Sequence, residues 1–185
     1  MRWGKWDEEK VRASNNPECP DIQLKKGFQN TCHQVGRTAA QLVVDGRYQE
    51  AIDKFVDYPK ILEEPFLRTI YAGVLWKTGK REKAIPHYLQ AAEETEESAD
   101  YRWITWIGGA GALYYQDSDD YRIDIFAKKA IKVEPNLLNE KFQRKNYDSQ
   151  ESLDILRGIL KRPGLQGDIR KIERKLLDND GRDDW

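Results

Sequence analysis

Sulfur is scarce in this chain of 185 residues, which has two cysteines, Cys19 and Cys32, and one methionine. A single cysteine pair permits one disulfide without requiring it, and two reduced thiols rank ahead of a Cys19–Cys32 bridge. Histidine is equally sparse. His33 and His87 have no second ligand at convincing spacing, so neither a metal nor another cofactor is expected. Charge of either sign is not in excess: 31 Lys and Arg stand against 32 Asp and Glu, a formal net charge of −1. That balance removes any global electrostatic argument for nucleic acid or a membrane surface. No apolar run reaches the length of a membrane span, and Met1 to Lys10 holds no apolar h-region. The chain therefore reads as a soluble protein without membrane insertion, with the cytoplasm expected unless a signal peptide has been removed.

What the chain does have is helical periodicity and a repeat. Asp45-Gly-Arg-Tyr-Gln-Glu-Ala-Ile-Asp-Lys-Phe55 returns as Thr78-Gly-Lys-Arg-Glu-Lys-Ala-Ile-Pro-His-Tyr88. Gly46 and Gly79, Ala51 and Ala84, and Phe55 and Tyr88 each stand 33 residues apart. Self-similarity at that period predicts stacked helical hairpins. The expected class is all-α, a right-handed solenoid of antiparallel hairpins with helical ends.

Taken in order, residues 1–31 read as an extension containing Trp3 and Trp6, closed by the turn-rich Asn15 to Pro20. Asp21 is a candidate N-cap for a first helix whose apolar positions run through Phe28, Val35, Ala39 and Leu42, with Gly27 and Gly36 as weak points. Its return helix begins near Gln49. Residues 65–98 predict a second pair, from Glu64-Pro65 to Thr78-Gly79 and from about Glu82 to Thr95, with Pro86 a mild misfit in the early turns. Residues 99–135 predict a third, Tyr101 to Gln116 and then Tyr121 to Val133, around the turn Asp117-Ser-Asp-Asp120. Residues 136–178 predict a helical cap. It includes a capping box at Asp148-Ser-Gln-Glu151, a stop at Pro163-Gly164 and a final helix over about 166–177. Residues 179–185 form an acidic tail.

The stretch 32–135 resembles tandem tetratricopeptide repeats, with units at about 32–64, 65–98 and 99–135. The small, glycine, aromatic, alanine and aromatic positions fall on Ala39, Gly46, Tyr48, Ala51 and Phe55. In the second unit they fall on Ala72, Gly79, Arg81, Ala84 and Tyr88, with Ala91 at the later small position. The third unit keeps Gly111, Tyr121, Ala130 and Pro135, but lacks the turn glycine and has Asp124 where Ala is expected. This resemblance implies peptide or protein binding in a concave groove lined by the first helix of each hairpin. The implied groove residues are His33, Gly36, Arg37, Ala40 and Val44; Phe66, Thr69, Ile70, Gly73, Trp76 and Lys77; and Thr105, Gly108, Gly109, Ala112, Tyr115 and Gln116. Cochaperones of the family grip a C-terminal carboxylate with Lys, Asn and Arg at several of these places. Here small residues occupy the corresponding sites, which favours an apolar or extended segment passing close to the backbone.

Gly108-Gly-Ala-Gly-Ala112 lacks the Lys-Ser/Thr of a phosphate loop and follows no strand, so tight helix packing is its leading interpretation. No nucleophile stands with an associated base, and no catalysis is expected. The acidic Glu93 to Glu97 and Asp117 to Asp120 and the basic C-terminal third suggest solvated faces, with head-to-tail self-association as the sharper alternative. The expected function is a non-catalytic adaptor. A structural or self-assembling subunit is the alternative, and a secretion-type chaperone is a narrower form of the first.

Overall fold

The computed structural model describes residues 28–180 apart from Ser98, Asp100 and Asp148, with side chains described from 34 to 176. The described residues are all-helical, without a strand. The α-helices are α1 (Phe28–Val44), α2 (Tyr48–Asp57), α3 (Pro65–Lys77), α4 (Arg81–Glu94), α5 (Arg102–Gln116), α6 (Arg122–Val133), α7 (Glu140–Asn146), α8 (Gln150–Leu160) and α9 (Pro163–Asp180). Single 3₁₀ turns lie at Pro59–Glu63 and Pro135–Leu138. The expectations for Trp3, Trp6, Cys19 and Asp21, and for the Cys19–Cys32 pair, lie outside the described residues.

Consecutive helices fold back on short links. Helix α1 packs on α2, α3 on α4 and α5 on α6, while α2 meets α3 and α4 meets α5. Each return helix is amphipathic: α2 buries Ala51, Ile52 and Phe55, and α4 buries Ala84, Tyr88, Ala91 and Ala92. The core divides into three contiguous clusters. One lies under the first pair around Ala39, Phe55, Ile61 and Ile70, and a second centres on Val74, Leu75, Trp76 and Tyr88. The largest joins α5 and α6 to α8 and α9 through Trp106, Phe126, Leu156, Ile159 and Leu165.

The first two turns are built alike. Gly46 and Gly79 have φ of 74° and 77°, and each closes its helix with two reversed bonds. Gly46 N–H donates to Val43 O at 3.2 Å and Arg47 N–H to Leu42 O at 2.9 Å; Gly79 N–H donates to Trp76 O at 3.0 Å and Lys80 N–H to Leu75 O at 2.8 Å. This paired motif satisfies carbonyls left open at the helix end, and it needs a residue at ease in the left-handed region.

The third turn has no such glycine. There Asp117 is extended, at φ −151°, and its carboxylate accepts the Asp119 N–H at 3.0 Å. Backbone bonds close part of the turn, with Asp117 N–H donating to Leu113 O at 2.7 Å and Asp120 N–H to Asp117 O at 3.3 Å, and further donors come from far along the chain. Arg162, in the link between α8 and α9, donates to Asp124 Oδ1 at 2.5 Å, to Asp120 O at 3.3 Å and to Ser118 O. Asp124, out of place in the repeat pattern, is thus the anchor for this arginine. Gly164 passes so close that a Cβ there would lie 2.1 Å from Asp124 Oδ2.

Several expected boundaries move. Helix α1 runs unbroken through Gly36, because that glycine faces Leu67: a Cβ at Gly36 would stand 2.6 Å from Leu67 Cδ1. Helix α4 ends at Glu94 and α5 begins at Arg102. Helix α8 is capped by Ser149, whose hydroxyl accepts the Ser152 N–H at 3.2 Å, while Glu151 turns away to Arg81. Pro163 does not end a segment but opens α9, where its missing N–H costs nothing, and the helix continues to Asp180 into the expected tail.

Replacing Gly79 by Ala should lower the unfolding free energy by about 1–2 kcal/mol through the left-handed φ alone, since no atom lies within 4 Å of the new methyl. Gly167→Ala, inside α9 with equally open surroundings, should raise it by up to about 1 kcal/mol. Urea titration of both variants reads the pair. Arg162→Met should cost about 3 kcal/mol, because Asp124 and Arg162 side chains are only 24% and 16% exposed and the carboxylate loses its partner. Adding Asp124→Leu to that variant should recover part of the loss in the same titration.

Candidate partner-binding surface

The positions projected onto a groove divide sharply by accessibility. Thr69, Ile70, Gly73, Trp76, Thr105, Gly108, Gly109 and Ala112 are buried, as is Gly36. Arg37, Ala40, Val44, Phe66 and Lys77 are partly exposed, and Tyr115 and Gln116 are exposed. His33 lies on α1, and its side chain is not among those described. The glycine-rich part of α5 is therefore a packing surface in this fold. A Cβ at Gly108 would meet Tyr88 Cδ1 at 3.0 Å and Thr69 Cγ2 at 3.6 Å. At Gly109 it would meet Ala92 Cβ at 2.4 Å and Phe126 at 3.4 Å. Three glycines weaken a helix, and the close approach of α3, α4 and α6 offsets that cost. Between α5 and α8 there remains a gap of about 10 Å³, lined by Ile107, Gly111, Ile155, Leu156 and Ile159 among others. It has room for about one water and none for a small-molecule substrate.

Side chains that stay accessible gather at the two ends of the first helices. At the N-terminal ends, Phe66 of α3 stacks on Tyr101, with ring centroids 4.7 Å apart and an interplanar angle of 21°. Tyr101 keeps 45% of its surface exposed. Nearby on α5, half-buried Trp103 leans on Phe142 of α7 at 6.0 Å. The rings are placed by the helix starts: Glu64 caps α3 through the Leu67 N–H at 2.6 Å, which fixes Phe66 in its first turn.

At the C-terminal ends, cations sit over rings. Arg81 Cζ is 5.4 Å from the centroids of both Trp76 and Tyr115. Its guanidinium also donates to Tyr115 Oη at 3.3 Å and to Glu151 at 2.9 Å, and the bond to tyrosine is the main reason its affinity for the proton rises above that of ordinary arginine. One hairpin earlier, Lys77 Nζ lies 5.3 Å from the Tyr48 ring and 3.3 Å from its hydroxyl. The repeat puts Tyr48 and Arg81 at equivalent places, so each joint between hairpins holds a cation and an aromatic, supplied from opposite sides. These contacts explain why Trp76, projected as a groove anchor, is 3% exposed: Tyr88, Arg81 and Tyr115 enclose it.

Tyr101, Arg81, Tyr48 and Glu151 were not among the projected residues. A sequence signal existed for Tyr48 and Arg81, which share one repeat position; Tyr101 and Glu151 join the surface only through contacts with distant helices. Among the described residues, no three of His, Cys, Asp and Glu come together as a metal site, and no helix is long and apolar enough to cross a membrane.

If Gly109 is a packing residue, Gly109→Ala should destabilise the fold by about 1–3 kcal/mol, and Ala92→Gly in the same chain should return part of the loss. Thermal unfolding of the single and double variants checks the pairing. Comparison with family models, with curated proteins and with solved structures finds no match to this chain.

Proposed function

We propose that this chain is a non-catalytic protein-binding adaptor, a tetratricopeptide-like stack of helical hairpins that holds an apolar or extended segment of a partner along its first helices. What supports the stack is the glycine turn repeated with the same two cap bonds at Gly46 and Gly79. The observation that carries the binding reading is the placement of accessible aromatic side chains at both ends of α5. Tyr101 rests on Phe66 at one end, Tyr115 beside Arg81 at the other, and each tyrosine is 45% exposed. Rigid rings with one face packed and one face open bring large contact area at low entropic cost, as hot-spot anchors do.

The buried middle of α5 narrows the earlier groove projection. A partner would lie over the partly exposed Arg37, Val44, Phe66 and Lys77 and the exposed Tyr115 and Gln116, with Tyr101 added, and would not reach Gly108 or Gly109. Helix α5 is about 22 Å long at 1.5 Å per residue, so its two rims suit a segment of about seven extended residues.

Selection from a displayed peptide library tests this with the whole chain as bait. Selected peptides should lose at least about tenfold in affinity to Tyr101→Ala/Tyr115→Ala, a change worth roughly 1.4 kcal/mol of binding. The double variant should keep its thermal transition within a few degrees, since both rings are half exposed. A folded variant that binds the peptides unchanged, or a library that yields none, removes the surface from the argument.

A further inference from the structure

The second and third turns between first and second helices lie side by side, and their charges are opposite. The second turn and its flanks carry Lys77, Lys80, Arg81 and Lys83 against Glu82. The third carries Asp117, Asp119 and Asp120 against Arg122. The two are neighbours, because Arg81 at the second touches Tyr115, two residues ahead of Asp117 at the third. Lys80, Lys83, Asp117 and Asp119 are exposed, and among the described residues none of them forms an ion pair. Tyr115 and Tyr121 stand at the same edge, 45% and 72% exposed.

Other charged stretches behave differently. The acidic segment at the end of α4 is answered within the chain: Glu93 by Arg122, Glu94 by Arg68 and, just beyond the helix, Glu97 by Lys129. Of the basic residues on α9, Arg170, Lys171, Arg174 and Lys175 occupy an exposed face interrupted by Glu173.

We propose that the turn edge is a self-association surface, in which the basic second turn of one copy docks on the acidic third turn of a second copy about a twofold axis. The argument for a second copy is geometric. The edge presents both signs side by side, and a twofold partner presents them in reverse order, so one contact contains two basic-on-acidic matches. An unrelated acidic partner would match the second turn and be repelled by the third. Exposed charge pairs each contribute little and are screened by salt, so the dimer is weak and salt-sensitive, with the tyrosines near the axis excluding water.

Sedimentation equilibrium on the full chain tests the proposal. At low ionic strength the average mass should climb toward that of a dimer as concentration rises, and high salt should reverse the climb. Lys80→Glu/Lys83→Glu and Asp117→Lys/Asp119→Lys should each weaken self-association by roughly tenfold or more. An equimolar mixture of these two variants should associate as the unaltered chain does, because each then meets the opposite sign, and so should a chain carrying all four changes. Asp119→Lys alone leaves the Asp117 carboxylate in place to hold the turn, and it should show a smaller loss of the same kind. A monomer at every concentration, or folded variants whose mixture stays monomeric, overturns the proposal. Loss confined to the lysine reversals also overturns it, since the second turn would then meet an acidic site other than the third turn of the second copy.

Discussion

The arrangement depends on how closely helices can approach α5. From Thr105 to Leu113 every residue of that helix is buried, and neighbours on several sides reach it: α3 and α4 through Gly108, α6 through Gly109 and α8 through Gly111. A methyl at Gly109 would stand 2.4 Å from Ala92, closer than two carbons can pack, so the separation of α4 and α5 is set by the absence of a side chain. The aromatics then find their places. Tyr88 lies against Gly108, Phe126 against Gly109, and Trp106 is sealed into the largest cluster, with Lys129 5.2 Å from its ring.

Around that helix the repeat is kept by different means at different turns. Two hairpins close with a left-handed glycine, which satisfies the helix-end carbonyls locally. The third closes with a guanidinium from Arg162, 38 residues beyond the carboxylate it binds. This ties α8 and α9 to the third hairpin. It also explains one departure from the repeat pattern: Asp124 replaces alanine because that arginine needs a counter-charge in a partly buried site, and the same arginine braces the glycine-free turn through Ser118 O and Asp120 O.

The joints between hairpins show the same economy of parts. Tyr48 with Lys77, and Arg81 with Trp76 and Tyr115, are cation and ring contacts at successive places, with the aromatic member moved from one side to the other. Such contacts hold helix ends and bury Trp76, while Tyr48 stays partly exposed and Tyr115 exposed. On α3 and α5 the accessible surface is consequently concentrated at the helix ends, where Phe66 and Tyr101 stack, and not along their middles.

Helix positions, the turn glycines at Gly46 and Gly79 and the inward faces of α2, α4 and α6 were legible in the amino-acid sequence, because they follow from short-range rules: apolar spacing, the left-handed preference of glycine and the missing N–H of proline. The interpretation of Gly108 to Ala112 as a packing surface was legible for the same reason. Accessibility was not. Whether Trp76 is an anchor or a core residue depends on Arg81, Tyr88 and Tyr115, each on another segment, and periodicity along one helix cannot say which neighbours cover it. Nor could local pattern assign Asp124 its partner in Arg162 or turn Glu151 from a cap into a contact for Arg81. The sequence by itself determined the helices and the glycine stops at Gly46 and Gly79, since those depend on residues a few positions apart. Only the tertiary structure decided which small and aromatic residues remain open to a partner, because burial is a property of the segments that meet across space.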